Sequence, residues 1–149
     1  MSYQEKRSIV NLISAIMISV LYSAYMIQRY PHGNPYSMEV FRFWGSFFLI
    51  LIPVSIVARI VIYIVFSILN TIATREQEDP SITDERDKLV ETRATVNSNY
   101  VFIVGFILAM GSLAIDMPPS VMFILLLLSG IVSGMVSEIS QFYFYRRGF

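Results

Sequence analysis

The chain has 149 residues, eleven basic and eleven acidic side chains, no cysteine, and 55% apolar residues. A formal net charge of zero gives no electrostatic support for nucleic-acid binding. The lack of cysteine excludes disulfides, thiolate nucleophiles and cysteine-type metal sites, and the one histidine, His32, cannot form a metal or haem site by itself. We therefore expect a single domain over residues 1–149 that holds no metal and no cofactor.

Four long apolar stretches dominate the sequence. Each is long enough, or nearly so, to cross a hydrocarbon core of about 30 Å at about 1.5 Å rise per residue. They predict an all-α polytopic membrane protein whose four transmembrane helices form an antiparallel bundle in the lipid bilayer. The stretches cover residues 9–27, 41–72, 100–115 and 121–136.

The first stretch also has the basic start of a signal peptide, at Lys6 and Arg7. Its apolar run is longer than a typical secretory core, however, and no small-residue cleavage site follows it. We predict that it is a retained transmembrane helix. Aromatic side chains near the outer ends of the first two helices, Tyr30, Tyr36 and Trp44, are predicted to anchor the chain at the membrane interface.

The basic residues predict the orientation. Cytoplasmic segments of membrane proteins carry an excess of lysine and arginine near the ends of their spans. Eight of the eleven basic residues fall on one side of a four-span arrangement, which places both termini and the loop at about 73–99 in the cytoplasm. They are Lys6, Arg7, Arg75, Arg86, Lys88, Arg93, Arg146 and Arg147.

Helices two and three are predicted to extend into the cytoplasm. The second stretch would be about 48 Å long as a helix, so it must tilt, kink, at Pro53, or project beyond the bilayer. Capping signals at Ser81–Asp84 predict that helix three begins near Asp84 and enters the membrane near Tyr100. Pro118 and Pro119 predict a sharp start for helix four.

The cytoplasmic segment contains the motif Asp84-Glu85-Arg86-Asp87. It resembles the signature of a family of small bacterial four-span membrane proteins that is classed as a domain of unknown function, and the tail over residues 141–148 is similar to theirs. The resemblance implies a bacterial inner-membrane location and no particular reaction. Because members often accompany small helix-turn-helix regulators, it also suggests a regulatory role.

The charged residues of this segment are candidates for binding a cytosolic or membrane protein. The acidic members Asp84, Asp87 and Glu91 could instead bind a divalent cation, but calcium loops need turn residues and alternating oxygen ligands, so a solvated helix face is the better interpretation. The candidate partner-binding residues are Asp84, Glu85, Arg86, Asp87, Glu91 and Arg93.

Two charged residues, Arg59 and Glu138, lie within or just past the apolar stretches of helices two and four. Counted from the outer side, Arg59 lies 18 residues after Phe41 and Glu138 lies 18 after Ser120, so both are expected about 27 Å down, near the inner edge of the membrane. They could form an ion-responsive pair or a structural salt bridge, or Arg59 could extend to the interface alone.

Rows of small residues predict close helix packing. Gly105 and Ala109 recur at four-residue spacing on helix three. On helix four Gly130 and Gly134 form a GxxxG pattern beside a parallel row of serines, Ser129, Ser133 and Ser137. Such rows let helix backbones approach closely in lipid, within one chain or in a homo-oligomer.

Two functions from different classes follow. The first is a non-enzymatic regulatory or partner-binding module that acts through the charged cytoplasmic loop. The alternative is a small transporter or permeation pathway with Arg59 and Glu138 as its polar centre. The almost purely apolar middle of helices three and four argues against transport. The sequence also has no recognisable pair of a nucleophile and a base, which argues against an enzyme.

Overall fold

The computed structural model describes residues 3–74 and 85–147. It contains four helices, α1 (Tyr3–Ile27), α2 (Met38–Thr74), α3 (Glu85–Ala114) and α4 (Pro119–Arg147). All four are long and apolar enough to cross a membrane. The prediction of an all-α, four-helix membrane protein is therefore confirmed, while the predicted capping residues Ser81–Asp84 lie outside the described residues.

Two helices are longer than a bilayer requires. α2 has 37 residues and α3 has 30, which correspond to about 55 Å and about 45 Å against a hydrocarbon core of about 30 Å. α2 is a continuous helix through Pro53. Both helices are therefore longer than the hydrocarbon core is thick, and their projection into the cytoplasm stays a prediction.

The helices run antiparallel but do not close into a ring. α4 packs along α3 and α1 and touches α2 more briefly, while α1 also packs on α2. Within the described ranges no Cα atom of α2 lies within 8 Å of a Cα atom of α3, so a gap separates the two backbones. We call the end of the bundle with Tyr3 and Arg147 the terminal end, and the end with the connections at 28–37 and 115–118 the loop end.

An aromatic cluster joins α1, α2 and α4 near the loop end. Trp44 is 4% exposed, and its ring stacks on Phe123 with centroids 5.5 Å apart and planes 12° apart. Phe47 is fully buried, and its backbone oxygen accepts a 2.9 Å hydrogen bond from the Tyr22 hydroxyl. The prediction that Trp44 is an interface anchor is therefore wrong, because its ring packs inside the bundle.

The α3–α4 hairpin turns through a Schellman-type helix end. Asp116 adopts a left-handed conformation with φ of 58°, and its N–H donates to the Leu113 carbonyl at 3.2 Å. The Met117 N–H donates to the Ser112 carbonyl at 3.1 Å. These two bonds satisfy carbonyls at the end of α3, and α4 begins directly afterwards at Pro119, as predicted.

The serine row of α4, and not its GxxxG pattern, packs against α3. Ser129 and Ser133 are buried, and the Ser133 hydroxyl lies 2.8 Å from the Ser98 hydroxyl. A Cβ added to Gly105 would lie 2.1 Å from the Ser129 Cβ. Close approach therefore occurs at Gly105, whereas a Cβ on Gly130 or Gly134 would meet nothing within 4 Å.

Candidate functional site at the terminal end

Glu138 lies on the terminal half of α4 and faces α1. The side chain of Asn11 on α1 lies beside its carboxylate, whose Oε2 atom is buried without a hydrogen-bond partner among the residues that the structure describes. The sequence analysis did not include Asn11 in this site. A signal was present, since Asn11 is the one amide side chain within residues 9–27.

Arg59 lies on α2 at the same level as Glu138. The stacked rings of Trp44 and Phe123 show which residues of the parallel helices α2 and α4 lie at the same level. Arg59 follows Trp44 by the same number of residues as Glu138 follows Phe123, so these two residues also lie at one level. The charge of Arg59 acts on the Glu138 carboxylate. Equal depth is thus explained by helix register, and the direct pairing of the two side chains stays a prediction.

Arg7 brings a second cation to this end of the bundle. Its guanidinium carbon lies 5.2 Å from the centroid of the Tyr63 ring, so α1 meets α2 through a cation–π contact. The charge of Arg7 also acts on Glu138. The buried carboxylate of α4 is therefore influenced by a guanidinium from each of two other helices.

The first part of α3, residues 85–99, which the sequence predicts to project from the membrane, packs against the bundle with one face. Val90 and Ala94 are buried on this face, with exposures of 1% and 0%. Asp87 accepts a hydrogen bond from the Gln4 side chain of α1 at 3.5 Å, and the Tyr145 hydroxyl of α4 lies beside it. We call Asp87, Val90 and Ala94 the docked face.

A second face of the same segment points away from the bundle. Leu89 is 54% exposed and Val96 is 47% exposed, and the exposed Arg86 and Arg93 share their side of the helix at helical spacing. We call these four residues the open face. Two apolar side chains, Leu89 and Val96, are therefore accessible on this face.

The candidate partner-binding residues therefore have different positions. Asp87 is half-buried and contacts α1 and α4, so the charged stripe is not solvated along its whole length. Glu85, Arg86, Glu91 and Arg93 are exposed, and Asp84 lies outside the described residues. In the part of the chain that the structure covers, no three His, Asp or Glu side chains lie close enough to hold a metal ion.

The gap between α2 and α3 contains a cavity of about 410 Å³. Arg59 lines it, together with Ser19 and Ser55 and otherwise apolar or glycine residues from all four helices. A second cavity of about 590 Å³ lies at the loop end, beside the aromatic cluster. Only the first of them reaches a charged side chain.

No family model, no curated protein and no solved structure matches this chain. The resemblance carried by residues 84–87 therefore stays an expectation. The four apolar helices by themselves are consistent with a small integral membrane protein.

The pairing of Arg59 with Glu138 predicts energetic coupling. We expect Arg59→Ala and Glu138→Ala each to destabilise the protein, because each leaves the other charge unpaired near the membrane edge. The double variant should lose less unfolding free energy than the two single variants lose together, by about 0.5–3 kcal/mol. Unfolding in detergent micelles measures the free energy of all three variants. As a control, Arg42→Ala near the loop end of α2 should be additive with Glu138→Ala, and additivity at Arg59 as well would show that the side chains do not pair.

Proposed function

We propose that the protein is a non-enzymatic membrane module that binds a cytosolic or membrane protein partner through the projecting segment of α3. One observation carries this proposal, namely the open face. Leu89 and Val96 are exposed on the segment that we predict to lie outside the membrane, whereas Val90 and Ala94 on the docked face are buried. Exposed apolar side chains that are grouped beside basic ones are typical of surfaces that bind proteins.

The location supports the same proposal. The excess of basic residues at the terminal end predicts that this end faces the cytoplasm, where a regulatory partner could reach it. The docked face holds the helix in one orientation, through Val90, Ala94 and the contacts of Asp87. A partner would then bind a preformed surface and would not have to order a flexible loop.

Transport is the second candidate, favoured by the cavity that Arg59 lines. A permeation pathway needs polar groups or broken helices near the middle of the membrane. Apart from Ser19 and Ser55, the cavity on the loop-end side of Arg59 is lined by apolar side chains and glycine. We therefore rank transport below partner binding, and solute flux in proteoliposomes that is lost in Arg59→Gln would reverse this order.

A photoreactive side chain at Leu89 tests the proposed binding surface. In membranes of the native host we expect irradiation to give a discrete adduct with a second polypeptide, identified by mass spectrometry. The same side chain at Thr95 is the matched control, because Thr95 is also exposed on this segment but lies on a polar side of the helix.

We further expect Arg86→Glu to lower the yield of the adduct at Leu89, because it reverses a charge within the open face. Asn34, in the connection at the loop end, provides a position on the opposite side of the membrane. Adducts of equal yield at Leu89, Thr95 and Asn34, or no protein adduct at Leu89, would contradict the proposal.

A further inference from the structure

The gap between α2 and α3 forms an apolar groove. Its floor consists of α1 and α4 and includes Gly130 and Gly134, where an added Cβ would meet nothing within 4 Å. Leu51 of α2 and Phe102 of α3 line its two sides. The backbones of α2 and α3 stay more than 8 Å apart between Cα atoms in the described ranges, so the groove lies between two separated helices.

A positive charge lies at the terminal end of this groove. Arg59 lines the cavity and is exposed, about 27 Å along α2 from Phe41, where the hydrocarbon core gives way to the headgroup region. The charges that act on the neighbouring Glu138 are those of Arg59 and Arg7. Arg59 is the one charged side chain among the described residues that line the groove, so it brings a positive charge to the depth expected for lipid phosphates.

We propose that the groove binds a phospholipid with an anionic headgroup. One acyl chain lies on the floor formed by Gly130 and Gly134, and the guanidinium of Arg59 pairs with the headgroup phosphate, for which its planar set of donors is suited. Because Gly130 and Gly134 have no side chains, the floor of the groove leaves space for the acyl chain. This site is separate from the open face of α3 and does not depend on the proposed function.

Lipid retention by the full-length protein tests the site. The protein is purified from vesicles of equal parts phosphatidylglycerol and phosphatidylcholine, and native mass spectrometry counts the lipids that stay bound. We expect the wild type to retain phosphatidylglycerol selectively. Arg59→Gln should weaken that binding roughly tenfold, equal to about 1.4 kcal/mol. Gly134→Leu should reduce retention of both lipids, because it fills the floor.

Two controls separate the groove from general effects. Arg42→Gln removes a charge from the loop end of α2, and Gly111→Leu adds the same side chain at an α3 glycine whose Cβ would also meet nothing. Both should retain phosphatidylglycerol like the wild type, and thermal unfolding confirms that each variant is folded. Equal retention by the wild type and a folded Arg59→Gln, or an equal loss in Arg42→Gln, would overturn the proposal.

Two further outcomes would assign the groove to another occupant. Soluble glycerol phosphate that competes as well as the lipid would show a site for free phosphate. A cysteine at Gly130 that crosslinks to the same position of a second copy in lipid would show a helix–helix interface between copies. Either result would overturn lipid binding in the groove, and neither would affect the test of the Leu89 surface.

Discussion

Replacing Gly105 with alanine is expected to separate α3 from α4 and to destabilise the protein by about 3 kcal/mol or more. The new Cβ would lie 2.1 Å from the Ser129 Cβ and 3.2 Å from its Cα. Overpacking typically costs about 1–3 kcal/mol, and here the obstructing atoms are close to the backbone and cannot rotate away. Unfolding in detergent micelles, followed by circular dichroism, measures the loss.

The same helix offers a matched control at Gly111. A Cβ there would meet nothing within 4 Å, so Gly111→Ala should change the stability by no more than about 0.5 kcal/mol. Ser129→Gly should partly restore the stability of Gly105→Ala, because it removes the obstructing Cβ. If Gly105→Ala were as stable as Gly111→Ala, the close approach of α3 and α4 would be wrong.

Trp44→Ala should be the second large effect, with a loss of about 3–5 kcal/mol. The ring is 4% exposed, stacks on Phe123, and donates its indole N–H to the Ser120 hydroxyl at 3.3 Å. Packing of this kind stabilises helices in lipid as well, because it depends on van der Waals contact more than on exclusion of water. The same unfolding measurement applies.

Leu49→Ala on the same helix is the control for Trp44. Leu49 is 72% exposed, so its truncation removes few contacts within the protein and should cost less than about 1 kcal/mol. Trp44→Phe should fall between the two, since it keeps an aromatic ring but loses the indole donor. Equal losses at Trp44 and Leu49 would show that the aromatic cluster does not hold α1, α2 and α4 together.

The main features of the fold follow from patterns that hydropathy and turn chemistry make visible. Apolar length predicted the four spans, and the two prolines predicted where α4 begins. Counting residues from the outer ends placed Arg59 and Glu138 at one level, in agreement with the register of Trp44 and Phe123. These inferences depend only on the length of an apolar stretch and on the position of a residue along one helix, and both can be counted from the sequence.

The faces of the helices were harder to predict. In lipid, residues in the core and residues facing the acyl chains are both apolar, so periodicity does not distinguish the buried Trp44 from the exposed Leu49. For the same reason the sequence could not show that Ser129, and not Gly130, meets α3. The gap between α2 and α3 is a property of how the helices assemble, and no single stretch encodes it.

Accessibility of single cysteines along residues 85–99 tests most directly the central claim that α3 projects into the cytoplasm with one docked and one open face. An impermeant thiol reagent should label Leu89→Cys and Val96→Cys in inverted membrane vesicles but not in intact cells. Val90→Cys and Ala94→Cys should stay protected in both until the protein is unfolded. Labelling of Leu89→Cys in intact cells, or equal labelling at Leu89 and Val90, would contradict this account.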